Sequence, residues 1–224
     1  PWTAPMIHGR DLTGGYMHPP NDKPGTAPET DVKSRLLDAA ADLFSTRGYS
    51  AASVREIVAR AGVTKPVLYY HFNNKEGLFL AILERAAQLL DQTISDALMG
   101  PGTVLARATR LLTDIYKGAA EHLPLSRMIH NLVLGPPQGA PLYDLDRFHR
   151  AIRKAVQRIY TEGIELGEVR DTDPAEASCL IVAILDFCFH MDLAHPETHD
   201  PERLKRLLDM AFSGLAADKF RVEE

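Results

Sequence analysis

The sequence predicts an all-α fold in two parts, and three observations support this prediction. From Thr30 onward, apolar residues recur every three or four positions, which is the period of an amphipathic helix. No segment shows the alternation of apolar and polar residues that is typical of a strand. Glycines and capping residues stand at the ends of the periodic segments. The chain of 224 residues can bury a large core without a disulfide or a metal ion.

The first two helices have clear end signals. Leu36 and Leu43 mark the apolar stripe of the first helix, and Gly48 is predicted to stop it. Ser53 is predicted to cap the second helix, because Glu56 follows three residues later and completes a capping box.

The third and fourth helices follow after equally short connections. Gly62 ends the second helix, and Thr64 is predicted to cap a third helix that carries Pro66 in its first turn. Asn73 or Asn74 is predicted to cap a long fourth helix from about Lys75 to Leu98. Its predicted buried side consists of Leu78, Phe79, Ile82, Leu83 and Leu89.

The rest of the chain predicts five more helices, at roughly 103–121, 124–134, 142–166, 174–194 and 201–216. The last two are expected to begin at Asp173–Pro174 and Asp200–Pro201, an acidic N-cap followed by proline. Residues 135–141 are too rich in Gly and Pro to be helical throughout. Residues 1–29 show no apolar period and are interpreted as a disordered arm or as a remnant of the expression vector.

Composition and charge exclude several classes of protein. Only Cys179 and Cys188 occur, which excludes a disulfide-rich secreted scaffold. No long apolar run or signal peptide is visible, so we expect a cytoplasmic protein without a membrane partner. The net charge is -5, but residues 31–75 carry seven basic and four acidic residues. A basic N-terminal part joined to an acidic body is consistent with contact with a polyanion.

Signatures of catalysis, cofactors and metals are absent from the sequence. There is no Gly-rich phosphate loop, nucleophile elbow, His-Glu-x-x-His or Cys-x-x-Cys, so we expect no enzyme activity and no cofactor. His190, His195 and His199 suggest a metal site, but Pro196 interrupts the helix between them and favours none. The two cysteines are interpreted as small buried residues.

Two short helices around Gly62 have the spacing of a helix-turn-helix, in which the second helix can enter a major groove of DNA. Residues 32–83 closely resemble the DNA-binding region of the TetR family of transcriptional regulators. The matching motifs are Ala39-Ala40 with Leu43-Phe44, Gly48-Tyr49, Ser53-Val54-Arg55-Glu56-Ile57, Ala61-Gly62-Val63, Leu68-Tyr69-Tyr70-His71-Phe72 and Asn74-Lys75-Glu76.

The resemblance implies a domain plan and a set of DNA contacts. Residues 30–76 would form an N-terminal three-helix DNA-binding domain, and residues 77–224 a C-terminal helical ligand-binding and dimerisation domain. Lys65 can donate to guanine, and Pro66 and Val67 can pack on thymine methyl groups. Lys75 can hold a phosphate at the start of the fourth helix. The predicted DNA-binding residues are Ser53, Arg55, Thr64, Lys65, Pro66, Val67, Tyr69, Tyr70, His71 and Lys75. Pro66-Val67 departs from the small or polar residues of many family members, so their base code cannot be transferred.

The resemblance also implies a homodimer and a small-molecule effector. The last two helices would pair with their symmetry mates, with Leu180, Ile184, Phe187, Met191, Leu204, Leu208, Ala211 and Phe212 as the predicted interface. The predicted ligand-binding residues are Tyr116, Met128, Phe148, His149 and Tyr160. These five can equally be core residues, and we expect His149 to be a partly buried histidine with a satisfied partner.

The implied function is that of a repressor released from a palindromic operator by its effector. In this mechanism, ligand binding shifts the fourth helix and moves the two recognition helices out of register. Two alternatives remain open. The first is a helical small-molecule binding protein or enzyme whose helix-turn-helix is purely structural. The second is a DNA-binding activator, or a regulator without a ligand.

Overall fold

The computed structural model describes residues 29–135 and 139–215, and over these ranges it confirms an all-α fold. The helices are α1 (Glu29–Arg47), α2 (Val54–Ala61), α3 (Lys65–Phe72), α4 (Lys75–Met99), α5 (Val104–Glu121), α6 (Leu123–Leu134), α7 (Asp146–Glu165), α8 (Pro174–Ala194) and α9 (Arg203–Leu215). A single 3-10 turn, Pro196–Thr198, joins α8 to α9. The predicted N-terminal arm lies outside the described residues except for Glu29, and so does the predicted end of the last helix at residue 216.

Two apolar clusters form the core. The first cluster fills the space between α1, α2, α3 and the N-terminal half of α4, around Phe44 and Phe79. The second cluster lies in the body, between the C-terminal end of α4 and helices α5, α7, α8 and α9. Met128 of α6 belongs to the first cluster, although it lies far along the chain from the other members. Helix α4 therefore connects both clusters, and α6 packs against the N-terminal helices.

The polar contacts between α1 and α6 reinforce this junction. The Asn131 side-chain amide donates to the backbone carbonyl of Ser45 at 3.2 Å. A second bridge lies between the end of α4 and the body, where the buried Arg107 guanidinium donates to the Leu98 carbonyl at 2.9 Å. Arg107 also pairs with Glu162 of α7 at 2.6 Å. These bonds connect α4, α5 and α7 at one end of the molecule.

Three helix boundaries or faces differ from the sequence predictions. The helix predicted over 142–166 begins at Asp146, because Tyr143 and Leu145 pack against the first cluster in a non-helical segment. Helix α9 begins at Arg203 rather than residue 201, after a turn in which Asp200 accepts the backbone N–H of Glu202. Leu89, predicted on the buried side of α4, is 46% exposed.

Helix α8 is the most apolar of the described helices. An 18-residue window within its 21 residues has a mean hydropathy of 1.8, so by length and composition alone it could cross a membrane. This hydropathy is higher than the lack of a long unbroken apolar run in the sequence indicated. In the structure, one side of α8 is buried in the second cluster through Ile181, Leu185 and Cys188. Because 33% of this window is buried, the core accounts for only part of the apolar composition.

Candidate nucleic-acid interface

Helix α2 begins with the capping box that the sequence predicts. The Ser53 hydroxyl accepts the backbone N–H of Glu56 at 3.2 Å, and the Glu56 carboxylate accepts the backbone N–H of Ser53 at 3.0 Å. Hydrogen bonds from Ser53, with a smaller effect of Arg47, lower the pKa of the Glu56 carboxyl. The Ser53 hydroxyl is therefore hydrogen-bonded to Glu56, although Ser53 itself is exposed at the N-terminus of α2.

The turn between α2 and α3 depends on one glycine. Gly62 has a φ of 65°, in the left-handed region that favours glycine. The next residue, Val63, donates its N–H to the Val58 carbonyl at 2.9 Å. From α1, Arg35 donates to the Ala61 carbonyl at 3.2 Å and so satisfies the C-terminal end of α2. No local sequence pattern indicates this contact, because the two residues lie 26 positions apart.

Helix α3 forms where the sequence predicts a recognition helix. Leu68 and Phe72 face the first cluster, which leaves Lys65 and Pro66 on the exposed side. Thr64 occupies the N-cap position but makes no side-chain capping bond, which corrects the predicted cap. Its hydroxyl is exposed. Val67 is half-buried and packs against the first cluster, so less of its surface is available than predicted.

The aromatic end of α3 is strongly exposed. Tyr69 is 47% and Tyr70 is 78% exposed. The rings of Tyr70 and the half-buried His71 meet edge to face, with their centroids 5.0 Å apart. Exposed tyrosine hydroxyls can donate to phosphate oxygens. Tyr69 and Tyr70 would therefore be able to contact the DNA backbone if α3 lay in a DNA groove.

The Lys75 side chain packs over an aromatic ring, a contact that the sequence prediction of a phosphate-binding lysine did not include. Its ammonium lies 4.2 Å from the centre of the Tyr49 ring, and burial lowers its pKa. Asn74 caps α4 by accepting the backbone N–H of Gly77 at 2.7 Å. Tyr49, which the motif Gly48-Tyr49 included without a role, thus positions Lys75 at the beginning of α4.

Ion pairing separates the basic residues of the N-terminal helices into two groups. Arg47 pairs with Glu56 at 2.5 Å, and Arg60 pairs with Asp42 at 2.5 Å. Arg35 pairs with Asp31 at 3.1 Å. The second group contains exposed cations that form no ion pair with any residue that the structure describes. It includes Lys33 on α1 and, on the helix-turn-helix itself, Arg55 and Lys65.

The predicted interface residues fall into two sets. Leu180 and Phe187 of α8 are each 50% exposed, and Ile184 and Met191 lie between and beyond them on the same side of the helix. We call these four residues the outer stripe of α8.

Helix α9 shows the opposite arrangement. Leu204, Leu208 and Phe212 are buried in the second cluster of their own chain, which corrects their assignment to the interface. Ala211 is half-buried, and Met210 is 72% exposed. The strongest apolar stripe of α9 therefore packs into the core of its own chain and is not available to a partner.

The predicted ligand-binding residues do not meet around one cavity. Tyr116 is buried and donates a short hydrogen bond to Asp192 of α8. Tyr160 is buried and donates to the Arg170 carbonyl at 3.0 Å. Met128 lies in the first cluster, as described above. Tyr160 lines a void of about 10 Å³ in the body core, which has room for no more than a water molecule.

The other two predicted ligand residues lie at the start of α7. His149 Nε2 is 3.0 Å from Asp186 Oδ1, and this hydrogen bond raises the pKa of His149 against the opposing effect of burial. The His149 side chain is 45% exposed, so the histidine has the expected partner but is not a core residue. Phe148 packs against Tyr143 with ring centroids 6.3 Å apart.

Within the described ranges, no group of three potential ligands is arranged to hold a metal ion. His199 Nδ1 pairs with Asp192 at 2.8 Å, and His195 pairs with Glu197 at 3.4 Å. Cys188 is buried as predicted, whereas Cys179 is exposed.

In comparisons with known proteins, a family profile matches the N-terminal region. The family profile described as bacterial regulatory proteins of the tetR family matches residues 36–92. The HTH-type transcriptional activator FasR of Mycolicibacterium smegmatis is 44% identical over 78 residues, which is 35% of this chain and 36% of that protein. The match thus spans about a third of that relative's length.

Solved structures resemble the chain over most of its length. The TetR family protein CprB from S. coelicolor A3(2) superposes with a TM-score of 0.70 at 26% identity, covering 88% of this chain and 94% of that one. SmeT, the repressor of a Stenotrophomonas maltophilia multidrug efflux pump, gives a TM-score of 0.66 at 22% identity, covering 86% and 95%. Its complex with triclosan gives 0.67 at 23% identity, covering 85% and 94%. The likeness to SmeT shows the fold alone.

Proposed function

We propose that this chain, whose N-terminal domain belongs to the TetR family of bacterial regulatory proteins, is a transcriptional regulator that binds a palindromic DNA operator as a homodimer. One observation carries the proposal. Arg55 and Lys65 extend from the exposed face of the helix-turn-helix without an acidic partner in the described part of the chain, while Arg35, Arg47 and Arg60 are paired within the domain. Unpaired cations beside an exposed recognition helix favour a phosphate-bearing partner.

The proposed contacts divide between base edges and backbone. Lys65 donates to guanine O6 or N7 from the first turn of α3, and Pro66 with the exposed part of Val67 packs on thymine methyl groups. Arg55 reads a base or binds phosphate from α2. The remaining contacts, from Ser53, Thr64, Tyr69, Tyr70, His71 and Lys75, are with the phosphate and sugar backbone.

A second copy of the chain completes the reading of the operator. One short recognition helix contacts too few base pairs for useful specificity, whereas two helices related by a two-fold axis read two half-sites. The outer stripe of α8 is the proposed dimer surface, together with the exposed side of α9. The exposed apolar side chains of the outer stripe are typical of a face that a partner covers.

The proposed regulator is a repressor that a small-molecule effector releases from DNA. SmeT, of the same fold, is a repressor with a structure in complex with triclosan. FasR, which is similar over about a third of its length, is an activator. The chain acts on DNA in the cytoplasm, and we assign no catalytic step to it. Effector binding to the body shifts α4, which connects both core clusters, and changes the separation of the recognition helices.

Selection from a random duplex DNA library tests this proposal. The purified chain is incubated with the library at near-physiological salt, and the bound fragments are sequenced over several rounds. We expect a palindromic motif with two half-sites about one helical turn apart. A lack of enrichment, or a motif that Lys65→Ala still selects unchanged, would support the alternative of a small-molecule binding protein with a purely structural helix-turn-helix.

A reporter gene placed behind the selected motif distinguishes repression from activation. A repressor lowers expression when the chain is produced, and an activator raises it. The proposal requires lower expression, with recovery upon addition of an effector.

A further inference from the structure

A groove with both apolar and charged lining residues lies at the junction between the N-terminal helices and the body. Its volume is about 280 Å³, close to the lower limit of small-molecule sites. Helix α1 contributes one wall, α4 the second, and the connection between α5 and α6 the third. This groove contains none of the five residues predicted to bind a ligand.

The floor and rim of the groove are apolar. Leu37 and Ile82 are buried at its base, and Leu125 at the start of α6 is half-buried. Leu89 lies at the rim with 46% of its surface exposed. An exposed leucine on a helix whose neighbours face inward provides apolar surface that a ligand could cover.

The charges of the lining do not cancel. Arg85 Nη1 pairs with Asp38 Oδ1 across the groove at 3.7 Å. Glu121, at the last position of α5, is exposed and forms no ion pair with a described residue. With Arg85 balanced by Asp38, the carboxylate of Glu121 leaves one negative charge beside the apolar floor.

We propose that this groove binds a small organic cation, an apolar body with one ammonium or amidinium group. The apolar part would cover Leu89 and lie on Leu37, Ile82 and Leu125, and the cationic group would pair with Glu121. A carboxylate ligand of the same shape would meet Glu121 as a like charge and bind more weakly.

The position of the groove gives such a ligand access to the DNA-binding helices. It would contact α1, which carries part of the first cluster, and also α6 and α4. A ligand wedged between α1 and α6 changes the contacts that hold the N-terminal helices against the body, and so changes DNA affinity. This regulatory consequence rests on the proposed function, whereas ligand binding itself does not.

Three probes with one skeleton test the binding site: phenylbutylammonium, phenylbutanol and phenylbutyrate. Binding to the full chain without DNA is measured by isothermal titration calorimetry and by ligand-observed NMR. For ligands of this size we expect a dissociation constant on the order of 1 mM for the cation. The cation should bind more tightly than the alcohol, and the carboxylate most weakly. Equal affinity for cation and carboxylate, or no saturable binding of the cation, overturns the proposal.

Variants locate the binding in the groove. Glu121→Gln should weaken phenylbutylammonium about three- to fivefold and leave phenylbutanol unchanged, because only the cation loses a charge partner. Glu165→Gln, at an exposed position at the end of α7, is the matched control and should change neither. Leu89→Trp should fill the rim and weaken both probes. If Glu121→Gln and Glu165→Gln behave alike, the proposal is wrong.

A separate measurement addresses regulation. The affinity of the selected operator is measured with and without saturating phenylbutylammonium, for the wild type and Leu89→Trp. A shift in the wild type that Leu89→Trp abolishes supports the coupling. Binding of the probe by a chain that binds no DNA would contradict the proposed function and leave the ligand site intact.

Discussion

At the residue scale, the surroundings of each basic side chain decide which ones are free to bind DNA. Arg47 and Arg60 each have a carboxylate at 2.5 Å, which competes with phosphate for the guanidinium. Lys65 has no such competitor among the described residues, and its helix exposes it next to Pro66. Charge count alone gave residues 31–75 a small excess of positive charge, whereas the pairing pattern indicates where that charge is available.

We therefore predict that Lys65→Ala lowers operator affinity by roughly 5- to 150-fold and relaxes base preference at one position of each half-site. Binding is measured by fluorescence anisotropy over a series of salt concentrations. Lys154→Ala, at an exposed position of α7, removes the same charge from the body and should leave affinity unchanged. Equal losses in the two variants would indicate that only net charge matters.

The pair of His149 and Asp186 predicts a pH dependence of stability. Because Asp186 raises the pKa of His149, the folded state holds the proton more tightly than the unfolded state. The stabilisation is fully present below the unfolded pKa, near 6.5, and is lost as the pH rises through the folded pKa. We expect Asp186→Asn to lower the pKa of His149 and to remove this dependence.

Two measurements test the pair: NMR titration of the His149 ring protons and urea unfolding on both sides of neutrality. His130 is the internal reference, since burial and the nearby His190 lower its pKa. The prediction fails if the pKa of His149 is the same in the wild type and in Asp186→Asn.

At the element scale, the turn between α2 and α3 depends on a backbone conformation. Gly62→Ala should lower the free energy of unfolding by about 1 kcal/mol, because the φ of 65° is unfavourable for alanine. A Cβ there would meet only Arg35 Nη1 at 3.6 Å, an ordinary contact, so the cost comes from the backbone.

Gly118→Ala provides the opposite case for the same measurement. Gly118 lies inside α5, and a Cβ added there meets nothing within 4 Å. Alanine should therefore stabilise the chain by roughly 0.5–1 kcal/mol. Urea unfolding of both variants should give shifts of opposite sign, and shifts of the same sign would contradict the conformational argument.

The success of the sequence predictions follows the range of the interactions that determine each feature. The capping box of Ser53 and Glu56 and the stop at Gly48 involve neighbours a few residues apart, and both are confirmed. Thr64 has the right type for a cap but does not make the bond. Leu89 lies on the predicted stripe of α4, yet none of the described helices covers it fully, which a single helix period cannot reveal.

At the scale of the whole molecule, the same limit explains the ligand residues. Tyr116, Met128 and Tyr160 each lie on an apolar stripe, but which stripes face one another depends on how the helices pack. The structure places Met128 with the N-terminal helices and engages Tyr116 with Asp192. The groove at the junction was not predicted, because its walls come from three segments that lie about 30 to 40 residues apart along the chain.

The outer stripe of α8 predicts the oligomeric state. Phe187→Glu should convert the dimer to a monomer and weaken operator binding at least tenfold, because a charge cannot be buried unpaired in an apolar interface. Leu142→Glu, at a fully exposed position outside α8 and α9, is the control. Light scattering after size-exclusion chromatography measures the mass. A monomeric wild type, or a dimer that survives Phe187→Glu, contradicts the assignment.

The position of Met128 bears on how this protein could be recombined with others. A hybrid sensor that joined residues 30–76 to the body of another regulator would leave the space of Met128 empty unless the new body supplied a similar side chain. Burial of one methionine contributes about 1.5–3 kcal/mol, a large share of the stability of a small domain. The natural unit for exchange is therefore the three N-terminal helices together with the faces of α4 and α6 that complete their core.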